Sequence, residues 1–285
     1  LSGAKKLIIV PDGILHTLPF QLLVEPGSTP VTNYKDYPYL AKQYAITTYP
    51  AAGAFYQLSK PAPQNTGKVL ALANPTLQTS ATQSNTYSNL VLGKATIAPP
   101  AIAVYDAKTQ FTPFEAANLT LLQQNQVAET KLKQLSRQPY QYLHLAAPFV
   151  FNSQYPQFSG LIVGGTQGNN ALLTLPKLAE LSPSAALLNL PFAFSHTPSG
   201  LQGNAVATLQ LTTLQAGIGA ATYSLWLPQV SHATQFYTLL YDRLAQNTPL
   251  PDAYQHTQLQ MMQTDEFAAP AAWAAFTLSG GFAGR

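Results

Sequence analysis

The segment AALLNLPFAFSHT, residues 185–197, places a buried strand directly before a loop and so indicates the fold class. Its apolar run, 185–190, has the length of a strand that is covered on both faces of a sheet. Pro191 ends the run, because proline has no backbone N–H to donate to a neighbouring strand. In an open α/β sheet, functional groups usually lie after the carboxyl ends of such strands. The segment therefore predicts an α/β protein and raises the question of what Pro191 and Phe192 do there.

Similar apolar runs recur along the chain and alternate with helical patterns. Strands are predicted at 7–10, 44–49, 68–76, 140–146, 160–165, 220–226 and 273–281. Helices are predicted at 114–137, 202–216, 232–246 and 251–263, where apolar residues recur at helical spacing. Strands that alternate with helices indicate a mostly parallel sheet with helices on both faces. We expect four of the strands to be neighbours in that sheet, namely 69–75, 140–146, 185–190 and 220–226.

Changes in composition divide the chain into two parts. The stretch KPAPQNTG, residues 60–67, has the proline, glycine and polar residues of a linker. We therefore predict an N-terminal lobe over residues 1–66 and a core domain over residues 67–285. The polar stretch 78–100 is predicted to be a long excursion from the core. The chain begins at Leu1 instead of methionine, so we expect it to be a piece of a longer protein.

The surface implied by the composition carries little charge. Charged residues make up 9% of the chain, against about a quarter in an average protein, while 46% of the residues are hydrophobic. A surface without strong charge repulsion favours self-association or a broad contact with a protein partner. The net charge is +3 and the basic residues are scattered, so we predict no binding of nucleic acid. No apolar run has the length of a membrane span and no signal-peptide pattern is present, so we expect a cytoplasmic location.

The sequence offers few groups for covalent or metal chemistry. It contains no cysteine, which excludes disulfides, thiolate metal sites and a cysteine nucleophile. The five histidines show none of the spacings that hold a metal ion, and no metal site is predicted. The glycine-rich segment VGGTQGNN, residues 163–170, lacks the spacing of a phosphate-binding loop. We therefore predict a plain connecting loop there and no cofactor.

Two histidine-containing segments remain as candidates for acid–base chemistry. His144 lies between Leu143 and Leu145 in a strand pattern, which predicts a histidine of the core or one that supports a site from behind. Ser195 directly precedes His196, but adjacent residues rarely point at each other, and no G-x-S-x-G turn is present. A hydrolase that uses Ser195 with His196 or His144 therefore stays open as an alternative.

Six motifs follow one another in order over most of the chain. They are LIIVPDGILHTLPFQLLV (7–24), YLHLAA (142–147), FSGLIVGG (158–165), AGIGAATYSLWLPQVSHATQFYTLLYDRL (216–244), AYQHTQLQMM (253–262) and WAAFTLSG (273–280). In this order they resemble the CHAT domains, a family of caspase- and separase-like cysteine peptidase domains often found with tetratricopeptide repeats. The resemblance implies a caspase-like three-layer sandwich, with helices on both faces of a mostly parallel central sheet.

The resemblance also implies which residues stand at the reactive positions. The catalytic histidine of the family falls at Pro148, and the nucleophilic cysteine falls at Pro191. The family's Gly-Glu-Gly falls on Gly203-Asn204-Ala205, which lacks the acidic residue. A Cys–His mechanism needs a thiolate and a general base within hydrogen-bond reach of each other. The resemblance therefore predicts a form of the peptidase that is not an enzyme.

Apolar residues around the two prolines are predicted to line the rim where a peptidase would hold its substrate. They are Pro148, Phe149, Phe151, Pro191, Phe192, Phe194 and His196. Either aromatic packing fills this cleft, or the cleft survives as a groove that binds a protein or peptide partner without cutting it. We predict a pseudopeptidase that acts as a scaffold or regulatory module and binds a protein, including a second copy of itself. A self-assembling structural protein is the other alternative.

Overall fold

The computed structural model describes residues 3–27, 31–58, 67–77, 104–105, 108–135, 138–150, 158–165, 170–180, 185–193 and 203–281. These ranges contain eleven strands: β1 (Lys6–Ile9), β2 (Ala45–Thr48), β3 (Val69–Pro75), β4 (Leu119–Gln124), β5 (Tyr142–Ala146), β6 (Phe149–Val150), β7 (Gly160–Gly164), β8 (Asn170–Thr174), β9 (Leu187–Leu190), β10 (Ala220–Ser224) and β11 (Phe276–Gly280). They also contain seven α-helices: α1 (Ala52–Leu58), α2 (Glu129–Leu135), α3 (Leu175–Ala179), α4 (Gly203–Gln215), α5 (Val230–Ala245), α6 (Leu250–Gln263) and α7 (Pro270–Trp273).

Eight of the strands form one sheet in the order β1-β2-β11-β10-β9-β5-β3-β4. The five strands from β10 to β4 are parallel. β11 is antiparallel to β10, and β2 and β1 run parallel to β11. The four predicted neighbours are confirmed as the consecutive strands β3, β5, β9 and β10. The α/β class with a mostly parallel central sheet is confirmed with them.

Helices cover both faces of this sheet, because the central strands are apolar on both sides. Along β3, Leu70 packs with Val206 of α4 on one face, whereas Ala71 belongs to the cluster on the other face. That second cluster contains Phe236 of α5 and Tyr254 of α6. The helices predicted at 202–216, 232–246 and 251–263 are confirmed as α4, α5 and α6. None of the helices in the described ranges combines the length and the apolar character needed to cross a bilayer.

The long helix predicted at 114–137 is wrong. Leu119–Gln124 forms β4, which pairs in parallel with β3, and only Glu129–Leu135 is α-helical. Gln124 has a φ of 52°, in the left-handed region, where the chain leaves the strand. The leucines of β4 satisfy a helical spacing and a strand spacing equally well over so short a run. Pairing with the edge of β3 decides between the two, because tertiary contacts override weak local propensity.

The strand predicted at 160–165 is confirmed as β7, but it lies outside the large sheet. It pairs antiparallel with β6 and β8 in a separate three-stranded sheet. The register pairs Gly164 with Asn170, so residues at both ends of the predicted loop 163–170 belong to strands. Residues 166–169 lie outside the described ranges. The described ends of the glycine-rich segment thus contribute Val163 and Gly164 to β7 and Asn170 to β8.

The N-terminal segment is attached to one end of the large sheet. β1 pairs with β2, and β2 pairs with β11. The buried Nε2 of Gln21 donates hydrogen bonds to the carbonyl oxygens of Ala274 and Phe276, each at 3.0 Å. The described part of this segment therefore shares its sheet with the rest of the chain. The division into a lobe at 1–66 and a core at 67–285 stays a prediction.

The turn after β1 packs against the first residue of α4. A Cβ built on Gly203 would lie 1.8 Å from the carbonyl oxygen of Gly13 and 2.6 Å from its carbonyl carbon. No side chain fits in that space without moving the backbone of the turn. Gly203 therefore allows the beginning of α4 to lie directly on the N-terminal segment.

Candidate functional site

Pro148 and Pro191 follow the carboxyl ends of two neighbouring strands. β5 and β9 are parallel and paired, with His144 opposite Asn189. Pro191 comes directly after β9, and Pro148 comes two residues after the end of β5. Both prolines are buried. The topology thus brings the two positions to the same edge of the sheet, where ligands of parallel α/β sheets usually bind.

The phenylalanines that follow the two prolines point into different parts of the core. Phe149 and Phe192 are both fully buried. Phe149 belongs to the cluster on the α4 side of the sheet, and Phe192 belongs to the cluster on the α5 side. The other predicted residues of this set, Phe151, Phe194 and His196, lie outside the described ranges, as does Ser195 of the alternative hydrolase. A binding role for the set stays a prediction.

His144 is the middle residue of β5 and is fully buried. Its Nε2 is 3.0 Å from the hydroxyl oxygen of Tyr105, and its Nδ1 is 2.9 Å from the hydroxyl oxygen of Tyr241. Both ring nitrogens are therefore used in hydrogen bonds within the chain. The prediction of a core histidine is confirmed.

A row of polar side chains crosses the sheet at His144. Asn189 of β9 lies beside His144, and Thr222 of β10 lies beside Asn189, so the three residues occupy matching positions in adjacent strands. Their side chains face α5, which presents Tyr237 and Tyr241 one helical turn apart. Three strands and one helix thus meet in a single polar layer, inside a core that is otherwise apolar.

Each hydrogen bond in this layer has a defined direction. Thr222 donates to Oδ1 of Asn189 at 2.5 Å, so the hydroxyl of Tyr237, 3.0 Å away, must donate to Thr222. Nδ2 of Asn189 donates to the hydroxyl oxygen of Tyr241 at 2.7 Å. Each hydroxyl has only one proton, so each can donate only once. Along the row Tyr237, Thr222, Asn189 and Tyr241, each side chain therefore donates a hydrogen bond to the next.

The same argument fixes the tautomer of His144. The hydroxyl of Tyr105 donates to Oε1 of Gln110, so the bond between Tyr105 and His144 must use a proton on Nε2. Nδ1 is then unprotonated and accepts the proton of Tyr241. The imidazole is neutral, with its proton on Nε2.

Burial keeps the whole layer neutral. It lowers the pKa of His144 from its ordinary value of 6.5 to about 3, because the charged imidazolium would lose its hydration. Burial also raises the pKa of Tyr237 and of Tyr241 well above that of an exposed tyrosine. No member of the layer therefore changes its charge near neutral pH.

Aromatic rings fill the space around the imidazole. Phe111 and Tyr237 meet the His144 ring edge to face, at centroid distances of 5.3 and 4.8 Å. Tyr105 lies parallel to the imidazole at 5.7 Å and meets Phe192 edge to face at 5.3 Å. On the α5 side of the sheet, the edge is thus packed with aromatic side chains. Of the two interpretations of the cleft, the described residues favour the filled one.

The described residues at this edge of the sheet do not include the two reactive groups of a Cys–His pair. The chain has no thiol, and neither ring nitrogen of His144 is available to take a proton from a nucleophile. Among the described residues, no group of three His, Asp or Glu side chains could hold a metal ion. What the layer does provide is a rigid set of satisfied hydrogen bonds that joins β5, β9 and β10 to α5.

The sequence interpretation missed most of this layer. Its signals were polar residues in apolar strand patterns, namely the histidine of YLHLA, the asparagine of LLNL and the threonine of AATYS. Tyr237 and Tyr241 also have the spacing of neighbours on one helix face. Tyr105 gave no signal, because it stands alone beside the polar stretch 78–100.

Comparison with known protein families agrees with the geometry. A family model described as the CHAT domain matches residues 1–281, which is nearly the whole chain. No curated protein gives a significant match. The match agrees with the α/β sheet, the two neighbouring strand ends and the order of the six sequence motifs. The chain therefore belongs to the CHAT domain family of caspase-like proteins.

Proposed function

We propose that this chain is a catalytically inactive CHAT domain that binds a protein partner and acts as a scaffold or regulatory module. The proposed lack of catalytic activity is supported by the position of Pro148 and Pro191. They stand after adjacent strands, where the family resemblance puts a histidine and a cysteine. A proline side chain has neither a proton to transfer nor a lone pair to attack a carbonyl group.

The nearest titratable group does not replace the missing base. A general base needs a free lone pair within reach of the nucleophile and a pKa near the working pH. His144 has a pKa of about 3, is fully buried and uses both ring nitrogens in hydrogen bonds to tyrosines. This opposes its use as the base for Ser195 in the alternative hydrolase.

Exposed apolar side chains support the binding role. Six of them are concentrated in the N-terminal segment: Ile8, Val10, Ile14, Leu15, Leu23 and Val24. Apolar groups that cluster on a surface with few charges commonly mark a contact with another protein. The overall charged fraction of 9% leaves little repulsion to oppose such a contact.

A turnover assay on a peptide library tests the absence of peptidase activity. We expect no cleavage above a buffer control at any peptide sequence. A fluorophosphonate probe in parallel should leave the protein unlabelled. Cleavage that is abolished by Ser195→Ala, but survives His144→Gln, would instead establish a serine hydrolase that does not use His144.

Self-association is a second candidate for the binding role, and the position of β1 at one end of the sheet favours it. β1 is the last strand in the sheet order, and Ile8 and Val10 at this end are exposed. Edge strands pair readily with another strand, and charges and proline oppose such pairing. Of the four residues of β1 only Lys6 is charged, and Pro11 follows the strand. Light scattering over a hundredfold range of concentration separates the two cases. A constant monomer mass together with binding of a different protein supports a binder, whereas a rising mass that Ile8→Lys abolishes supports self-assembly.

A further inference from the structure

Val104 and Tyr105 are held as an extended peptide ligand would be held. The side-chain amide of Asn74 donates to the carbonyl oxygen of Tyr105 at 2.8 Å, and its Oδ1 accepts the backbone N–H of Tyr105 at 2.8 Å. One amide thus pairs with both backbone groups of a single residue that belongs to no strand. Main-chain hydrogen bonds of this kind hold peptides without regard to their sequence.

The side chains of the two residues have opposite environments. Val104 is 83% exposed, whereas Tyr105 is 1% exposed. Alternation between solvent and a pocket is the pattern of an extended peptide that lies on a surface and inserts one anchor residue. Tyr105 is such an anchor, because its whole ring is buried while its neighbour is in solvent.

The pocket around Tyr105 is built for a phenol. Phe192 meets the ring edge to face, and the imidazole of His144 lies parallel to it. The hydroxyl accepts the proton of His144 Nε2 and donates to Oε1 of Gln110. Both hydrogen bonds of a tyrosine hydroxyl are thus satisfied at the bottom of an aromatic pocket.

The pocket lies at the edge that contains Pro191. Asn74 is at the carboxyl end of β3, next to β5 and close to the end of β9. Its φ is 50°, in the left-handed region, and the pairing of β3 with β4 shifts register there. Asparagine tolerates this backbone better than most residues. The backbone at the end of β3 therefore leaves the regular strand at Asn74, and the side-chain amide of Asn74 pairs with the backbone of Tyr105.

The geometry points to a tyrosine-recognition subsite for an extended peptide segment of a partner protein, which the chain's own Tyr105 occupies as a tethered ligand. This inference rests on the proposed function and names the chemistry of the partner. The partner's tyrosine takes the place of Tyr105 in the pocket, and its backbone takes the place of Tyr105 on the Asn74 amide.

The pocket selects tyrosine over its close relatives. Phenylalanine would remove the hydroxyl that now pairs with the Nε2 proton of His144 and with the Gln110 oxygen in a buried site, which disfavours it strongly. Phosphotyrosine would bring a dianion to a hydroxyl position whose two described partners, His144 and Gln110, carry no charge. The expected ligand is therefore an unmodified tyrosine.

Occupation by Tyr105 sets the affinity for an outside peptide. A residue tethered to its own site competes at an effective concentration of about a millimolar or more. An outside tyrosine therefore binds weakly until Tyr105 is displaced or removed. Removing the Tyr105 ring should expose the affinity of the pocket.

Calorimetric titration with the capped dipeptide acetyl-Val-Tyr-N-methylamide tests the inference. We expect the Tyr105→Ala variant to bind it at least tenfold more tightly than the wild-type chain does. The same variant should bind acetyl-Val-Phe-N-methylamide and the phosphotyrosine dipeptide at least tenfold more weakly than the tyrosine dipeptide. Tyr56→Ala is the matched control, because Tyr56 is 81% exposed, and it should behave as wild type. Equal binding to wild type and Tyr105→Ala, or no preference for tyrosine, overturns the inference.

Two further variants keep the test decisive. Adding Asn74→Asp to Tyr105→Ala should weaken binding of the tyrosine dipeptide at least tenfold, since a carboxylate cannot donate to its carbonyl group. If Tyr105→Ala does not fold, Tyr105→Phe keeps the ring volume and should bind the dipeptide at least threefold more tightly than wild type, and equal binding overturns the inference.

The two proposals fail separately. If the titration fails and no peptide is cleaved, only the tyrosine subsite is overturned, whereas peptide cleavage by the wild type overturns the proposed function.

Discussion

His144 and Asn189 lie side by side on β5 and β9, and both are hydrogen-bonded to the hydroxyl of Tyr241. The hydroxyl accepts from the asparagine and donates to the imidazole. Two neighbouring strands and one helix are therefore connected through a single oxygen atom.

Replacing His144 should weaken the fold substantially. His144→Leu leaves the buried hydroxyls of Tyr105 and Tyr241 without one of their partners, and each unsatisfied buried group costs about 1–3 kcal/mol. We expect the free energy of unfolding to fall by about 2–5 kcal/mol in urea titrations. His256→Leu is the control, because His256 is exposed, and its effect should stay within about 0.5 kcal/mol. Equal effects of the two substitutions would contradict the described layer.

Stability should decrease as the pH falls from 6.5 towards 3. Unfolded His144 binds a proton near pH 6.5, whereas folded His144 stays neutral down to about pH 3. The unfolded state therefore binds more protons in this window, and acid favours it. The difference of about 3.5 units in pKa corresponds to roughly 4–5 kcal/mol at the acid end. This loss of stability fades to nothing within about one pH unit above the unfolded pKa of 6.5.

The variant His144→Gln isolates this contribution, because glutamine does not titrate. Unfolding free energies of wild type and variant should converge as the pH falls from 7 to 4, measured by urea titration at each pH. Other groups, including His16 and His232 with lowered pKa values, contribute equally to both proteins. Parallel profiles across this range would show that His144 is solvated in the folded protein.

A methyl group at Gly203 should be tolerated poorly. Gly203→Ala places its Cβ against the backbone of Gly13, and overpacking of this kind costs typically about 1–3 kcal/mol. The matched control is Gly53→Ala, because a Cβ there meets no atom within 4 Å and alanine favours the helix α1. We expect the control to stabilise the protein by roughly 0.5 kcal/mol. Thermal unfolding of both variants measures the contrast. A Gly203→Ala variant as stable as the wild type would mean that the turn at Gly13 does not contact Gly203.

Gln21 should contribute to holding the N-terminal segment on the core. Gln21→Ala removes two hydrogen bonds to the carbonyl groups of Ala274 and Phe276, at a cost of about 1–3 kcal/mol. Gln43→Ala is the control, because Gln43 is exposed and should cost less than about 0.5 kcal/mol. Hydrogen exchange of β1 and β2 amides should accelerate in Gln21→Ala only. Unchanged exchange would mean that strand pairing alone holds the segment.

The central strands could be predicted because each is apolar on both faces over a short run. β3, β5, β9 and β10 have this pattern, and their neighbour relations follow from alternation with helices. β4 was assigned to a helix because it is only partly buried and its leucines fit two periodicities. β8 was not predicted because it pairs outside the large sheet, where no burial pattern marks it.

The meeting of Pro148 and Pro191 at one edge of the sheet could be predicted from the sequence, but the polar layer could not. The resemblance to the family put Pro148 and Pro191 at the reactive positions, and the strand order brings them to one edge. The polar layer depends on the register of three strands, which places His144, Asn189 and Thr222 in line. The apolar pattern of one strand fixes which side chains share a face, but it does not show which residues of the neighbouring strands lie beside them. The same holds for Tyr105, whose described partners other than Gln110 are distant along the chain.

The fixed direction of the polar layer has an evolutionary consequence. Every hydrogen bond between Tyr237 and Gln110 has a fixed donor and a fixed acceptor. Replacing one residue of the layer therefore leaves the residue on each side of it without a donor or an acceptor. Natural variation at Asn189 or His144 should therefore be accompanied by compensating change at the adjoining tyrosines. An alignment of related domains in which these positions drift independently of one another would show that the ordered protons carry no selective weight.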